Sequence, residues 1–205
     1  MNNLDSIAEQ IRLRLSARDA AREKALPLCR EAIRLCGNAI RAVHRQEFDQ
    51  AGELLQSARS LLNQTEQATA EYSELSNAGF FRDARKEFAE ASATLAMVTG
   101  KCLPDPDELG IDPAAYLNGL GEAVGELRRY LLDSIRRGDL SRGEELLSTM
   151  DNIYSMLVTI DFPDAITGGL RRTTDVVRGI LEKTRGDLTL VMTQKDLENR
   201  LDKPV

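Results

Sequence analysis

AYLNGLGEAVGELRRYLLDSIRRGD, residues 115–139, carries the pattern that decides the fold. Leu117, Leu120, Val124, Leu127, Leu131 and Ile135 recur at intervals of three and four, which lays them on one stripe of an α-helix. Just upstream, Asp112 is a short polar residue suited to capping free N–H groups. Pro113 has the fixed φ that suits a first helical position. Gly138-Asp139 ends the run. Arg128 falls on or beside the apolar stripe, so it either snorkels past the seam edge or borders a polar site or subunit contact. Glu122, Glu126 and Arg129 project to the opposite side, at spacings that let them interact.

The same period extends outward in both directions. A long helix is predicted from Leu4 to Arg45, with a kink or short break near Arg22–Leu26, because Pro27 removes a backbone donor and clashes one turn back. A second runs from Phe48 to Leu75. Asn77-Ala78-Gly79 breaks the pattern, and a third covers Phe81 to Val98. GKCLPDPDELGIDP, residues 100–113, is the clearest loop. Downstream, a helix is expected over Ser141–Thr159 and a break over DFPDAITGG, with Pro163 as a helix starter. The last helix begins at Asp164 or Leu170 and ends near Asn199, and the tail from Leu201 to Val205 is expected to fray. Aromatic residues are 4% and alternating apolar runs are missing, so strands are not predicted. The predicted fold is all-α: one domain over 1–205, a bundle of six to seven helices.

Composition narrows the chemistry. The chain has 205 residues, 42% hydrophobic and 29% charged. It has no apolar run of roughly 20 residues and no apolar signal core behind its first residues, so the expected location is the cytoplasm. Cys29, Cys36 and Cys102 form no C-x-x-C, which argues against structural zinc and a disulfide framework. A Ser-His-Asp site would have to use His44, the single histidine. Catalysis, if any, must therefore run on carboxylates, with a metal.

Two charge patterns stand out. KEFAEASATLAMV, residues 86–98, places Glu87 and Glu90 three apart, one turn along the same side of a helix. The stripe of that helix is Ala84, Phe88, Ala91, Leu95 and Val98. Glu87 lies roughly 60° from its centre and Glu90 roughly 120°, so Glu87 is a boundary position and Glu90 the more exposed. The pair is either a solvated helix edge or the seat of a cation. Arg30, Arg34, Arg41 and Arg45 form a second pattern, a row about four turns long that either tracks phosphates or pairs with acids such as Glu31 and Glu47. Arg12 joins the row if Pro27 leaves the helical phase unchanged. The net charge of −6 means that any nucleic-acid surface must be segregated from the acids.

In order and spacing, five segments resemble the translin family: REAIRLCGNAIRAVHR (30–45), KEFAEA (86–91), AYLNGLGEAVGELRRYLLDSIRRGD (115–139), MDNIYSML (150–157) and GGLRRTTDVVRGILEKTRGDLTL (168–190). The pair Glu87 and Glu90 is similar to the E-x-x-E of the branch represented by translin-associated factor X. Asp133 departs from the family's Asn before Ser134. The resemblance implies an all-α subunit of a hollow octameric shell that binds RNA or single-stranded DNA. In the catalytic branch it implies a magnesium-dependent endoribonuclease, with manganese as an alternative ion. It carries the acidic site onto Glu87, Glu90, Glu126 and Asp151, as catalytic residues and metal ligands. Arg30, Arg34, Arg41, Arg45 and Arg129 are the expected nucleic-acid contacts, facing the shell interior. The alternatives are a non-catalytic nucleic-acid-binding oligomer and, further off, a helical scaffolding or regulatory bundle.

Overall fold

Nine helical segments follow one another along residues 3–201, the part of the chain that the computed structural model describes, and no strand occurs among the described residues. They are α1 (Leu4–His44), α2 (Phe48–Thr69), α3 (Ser73–Ser76), α4 (Gly79–Thr99), α5 (Pro106–Leu109), α6 (Pro113–Arg136), α7 (Gly143–Val158), α8 (Asp164–Thr167) and α9 (Leu170–Leu201). The bundle is all-α as expected. Of three additional one-turn segments, α5 and α8 sit where the sequence pattern showed a loop and a break, whereas α2 ends at Thr69, short of the expected Leu75, and α3 takes up the remainder after a turn. The expected fraying falls largely on residues 202–205, outside the described residues.

Helix α1 is continuous through Pro27, with no break at Arg22–Leu26. Proline deprives the Glu23 carbonyl of its usual donor, but Glu23 and Pro27 are both exposed, so water can take that place. Its 41 residues make a rod roughly 60 Å long. Residues 4–20 lie outside the core, and α1 joins the bundle only from Ala21 onward, through Ala25, Cys29, Ala32, Cys36, Ala39 and Val43.

Helix α4 lies at the centre, packed against α1, α2 and α6, while α6 in turn carries α7 and α9. This placement explains why α4 is buried on more than its one apolar stripe: Ala89, Ser92, Ala93, Thr94 and Ala96 are buried as well as Phe88 and Ala91. The stripe of α6 behaves as its spacing predicts, with Leu120, Val124, Leu127 and Leu131 fully enclosed. Truncating one such leucine to alanine costs about 2–5 kcal/mol. Asp112 caps α6, accepting from the Ala115 amide at 3.0 Å, with Pro113 in the first turn. At the other end of α4, Gly100 takes a left-handed conformation (φ 69°) that lets Lys101 N–H return to the Ala96 carbonyl at 2.8 Å. Arg142, just before α7, donates to the Met97 and Val98 carbonyls, so the last turn of α4 is satisfied by a cation from the neighbouring element.

Arg128 neither snorkels nor faces a vacant site. Its guanidinium donates to Thr184 Oγ1 at 3.0 Å and Asp187 Oδ2 at 2.7 Å, which ties α6 to α9.

Candidate metal centre

The close approach of α4 and α6 brings the acidic residues together. A Cβ built on Gly119 would lie 2.5 Å from the Lys86 carbonyl oxygen, 2.7 Å from Ala89 Cβ and 3.0 Å from the Glu90 nitrogen. Only glycine allows α6 so near to α4 at this level. Three residues further along, Glu122 meets the pair Glu87 and Glu90, and carboxylate oxygens of all three lie within 4.8 Å of one another.

The surroundings of these carboxylates set their protonation. Burial pushes the Glu90 carboxyl up to about 8, aided by the charges of Glu87, Glu122 and Glu126 and opposed by Lys86. Glu87 is also raised, again mainly by burial; Glu122 and Asp83 add to this and Lys86 opposes it. Lys86 donates to Glu122 Oε1 at 2.7 Å. Burial works against its ammonium, but the bond to Glu122 and the nearby acidic charges outweigh that and raise its pKa. Beneath the cluster, the buried thiol of Cys36 on α1 is pushed up to about 12, first by burial and then by the charges of Glu87 and Glu90. Carboxylate oxygens that repel one another in a half-buried site match a hard divalent cation such as Mg2+ or Mn2+, which takes oxygen ligands and supplies the missing positive charge.

The sequence-predicted residues divide. Glu87 and Glu90 are together, but Glu90 is not the solvent-facing member that the stripe geometry indicated. Helix α6 covers that side of α4, and Glu90 lines a cavity of about 670 Å³ between α4, α6 and the start of α9. Glu126 stands one turn beyond Glu122 on the same face of α6. It lies outside the three-carboxylate group, though its charge reaches Glu90. Its Oε2 is 2.5 Å from His44 Nε2 and 3.7 Å from Arg129. The His44 hydrogen bond holds the Glu126 carboxyl below its ordinary value despite burial, with help from the charges of His44 and Arg129. Asp151 is not brought into this group. It sits on α7, where its Oδ1 accepts from Arg185 on α9 at 2.9 Å.

Glu122 is the member that sequence reasoning missed. The spacing places it, with Glu126, on the face away from the apolar stripe, which is correct for α6 alone. That face, however, packs in part against α4 through Gly119, leaving Glu122 at its edge. The available signal was the pair Glu122 and Glu126 at i, i+4 among Gly119, Gly121, Ala123 and Gly125, because small residues mark where another helix can come close.

The arginine row of α1 is exposed at Arg30, Arg34, Arg41 and Arg45. Arg34 pairs with Glu31 (2.5 Å) and Arg45 with Glu47 (2.7 Å), while Arg41 bonds to the Asn38 side chain. Other basic residues border the acidic cluster more closely: Arg82, Lys86 and Arg172 line the same cavity as Glu90 and Glu122. No described helix is long and apolar enough to cross a membrane.

A helical bundle with three crowded carboxylates beside a basic-edged cleft defines the class. No protein-family model matches the chain. The uncharacterized protein MJ0175 of Methanocaldococcus jannaschii is 31% identical over 193 residues, covering 91% of this chain and 83% of that protein. The structure of AfC3PO, an archaeal protein of the translin type, in complex with duplex RNA is similar at a TM-score of 0.85 and 34% identity, covering 96% of this chain and 99% of that one. AfC3PO in a further crystal structure gives 0.84 and 35%, with 91% and 97% covered. Apo-NeC3PO shares the fold at a TM-score of 0.78 and 20% identity, over 93% of this chain and 98% of that one. The chain belongs to the translin family.

Proposed function

We propose that the protein is a divalent-metal-dependent endoribonuclease that binds and cleaves RNA within an oligomer of its own chains. The observation that carries this reading is the triad Glu87, Glu90 and Glu122, three carboxylates within 4.8 Å. Glu90 and Glu122 line a cavity whose rim also holds Arg82, Lys86 and Arg172. The likeness to AfC3PO, solved with duplex RNA, supports RNA as the ligand.

Each group has a distinct part. Glu87, Glu90 and Glu122 hold the cation, Mg2+ or Mn2+. When bound, it neutralises phosphate charge and polarises water for attack on the phosphodiester. Lys86 fixes the Glu122 carboxylate through its 2.7 Å bond. Arg82 and Arg172 face the backbone phosphates entering the cavity and carry no sequence information of their own. Glu90, protonated up to about pH 8 in the metal-free protein, must release its proton before it can act as a ligand.

Assembly is part of the reading. The solvent-projecting half of α1 exposes Leu4, Ile7, Ile11 and Leu15, and the end of α9 exposes Leu190, Leu197 and Leu201. Apolar side chains on two projecting helix ends are what further copies of the chain would cover. An octamer, as in the shell that the family resemblance implies, is the expected state, with light scattering as its measure.

The test is incubation of purified protein with labelled single-stranded and duplex RNA, and single-stranded DNA for comparison, in Mg2+, in Mn2+ and in EDTA. Metal-dependent cleavage is expected. It should be lost in Glu87→Gln and Glu122→Gln while RNA affinity stays near wild type. RNA binding without cleavage in either metal would replace this reading with that of a non-catalytic RNA-binding oligomer.

A further inference from the structure

His44 is the last residue of α1 and the only histidine in the chain. Its side chain is 6% exposed, and its one hydrogen bond among the described residues is Nε2 to Glu126 Oε2 at 2.5 Å, across 82 positions of sequence. A carboxylate can only accept, so Nε2 carries the proton and donates. The other ring nitrogen, Nδ1, is buried and finds no partner among the described residues. The Tyr130 ring, one turn beyond Glu126, stands 6.4 Å from the imidazole. The imidazole thus has one polar task, and the task is Glu126.

Glu126 has its Oε2 engaged by His44 and, more distantly, by Arg129. It stands one turn from Glu122 and within electrostatic reach of Glu90. We propose that His44 is a positioning residue for the cation site: it fixes Glu126 in one orientation as a fourth carboxylate beside the Glu87–Glu90–Glu122 cluster. A free glutamate on this face would sample several rotamers, and ordering it at the moment of binding would cost affinity. A carboxylate already held by an imidazole N–H avoids that ordering, in the way that outer partners orient the ligands of metal sites generally. This inference rests on the cation-site reading above and extends it to a residue that touches no ligand itself.

The experiment measures Mn2+ binding by electron paramagnetic resonance, and kcat and KM for RNA, in wild type, His44→Gln and His44→Leu. Glutamine keeps an N–H donor near the Nε2 position, and leucine fills the space without one. His44→Leu should weaken Mn2+ binding and lower kcat by roughly 10- to 100-fold, with KM for RNA nearly unchanged. His44→Gln should recover most of both. In a Glu126→Gln background, His44→Leu should have no further effect on Mn2+ binding, which also covers the case in which the leucine variant folds poorly. Mn2+ affinity that is indifferent to His44, or equal losses in the glutamine and leucine variants, would overturn the positioning role whatever the activity. Wild type that binds Mn2+ in a His44-dependent way yet never cleaves RNA would refute the nuclease reading and leave the role of His44 standing. Wild type that binds no Mn2+ would overturn the site and this role together.

Discussion

Replacing Glu90 by glutamine should make the metal-free protein more stable, and the gain should grow with pH. In the folded chain the Glu90 carboxyl titrates at about 8, against an ordinary value of 4.5. Between those values the folded state keeps a proton that the unfolded state has released. Stability therefore falls as pH rises through that window. The contribution is fully present below pH 4.5 and is gone above pH 8. At about 1.4 kcal/mol per pH unit, the whole window corresponds to at most about 5 kcal/mol, and relaxation of the half-buried site reduces it. Half of that figure, spread over a chain of this size, moves a melting midpoint by about 5–10 °C.

Glutamine has the same shape and no charge to lose, so its curve lacks this fall. The assay is thermal and denaturant unfolding of wild type and Glu90→Gln in EDTA, from pH 5 to pH 9, with oligomer mass checked at each pH. The two should nearly coincide at pH 5, and the variant should exceed wild type by 2 kcal/mol or more at pH 9, about half the maximum. Added Mn2+ should then reverse the order, because it stabilises only the protein that binds it. Identical pH curves for the two proteins, or a variant less stable at pH 9 without metal, would refute the account of Glu90 as an ionisation held back by burial and by its acidic neighbours.

Glu122→Gln should reduce cleavage at least ~100-fold and weaken Mn2+ binding, whereas Asp151→Asn, which removes only the charge paired with Arg185, should change both by less than about threefold; equal losses would restore Asp151 to the site. Gly119→Ala should destabilise the fold by about 1–3 kcal/mol, read from denaturant midpoints, and weaken Mn2+ binding, because its Cβ forces α6 away from the Lys86–Glu90 turn of α4. Arg34→Glu with Arg41→Glu should weaken RNA binding across unrelated sequences and flatten its salt dependence; an unchanged salt slope would assign the α1 row to its pairings with Glu31 and Asn38.

Where each residue pointed was legible only when one helix decided the matter. The stripe of α6 and its Asp112–Pro113 start depend on that helix alone, and both stand as read. The local cost of Pro27 points to a kink or break, yet exposure on a long helix makes that cost bearable, and α1 continues through it without interruption. Glu90 and Glu122 show the limit more clearly. Each was placed correctly relative to its own stripe, but an angular reading assumes that the far side of a helix meets solvent. Here the far sides of α4 and α6 meet each other through Gly119.

The same contact explains why an acidic site can exist in this bundle at all. A glutamate on a solvated edge keeps its ordinary pKa and binds a cation weakly, since water already serves it. Packing α6 on α4 through a glycine buries Glu90 and crowds three carboxylates together, which raises the metal-free state in energy; in the proposed reading, a cation is the group that relieves it. Glu126 is spared the same fate by His44, whose hydrogen bond holds its carboxyl below the ordinary value beside the cluster. Asp151, paired with Arg185 on α9 and half exposed, stands outside that crowding, and its carboxylate is neutralised by an arginine instead.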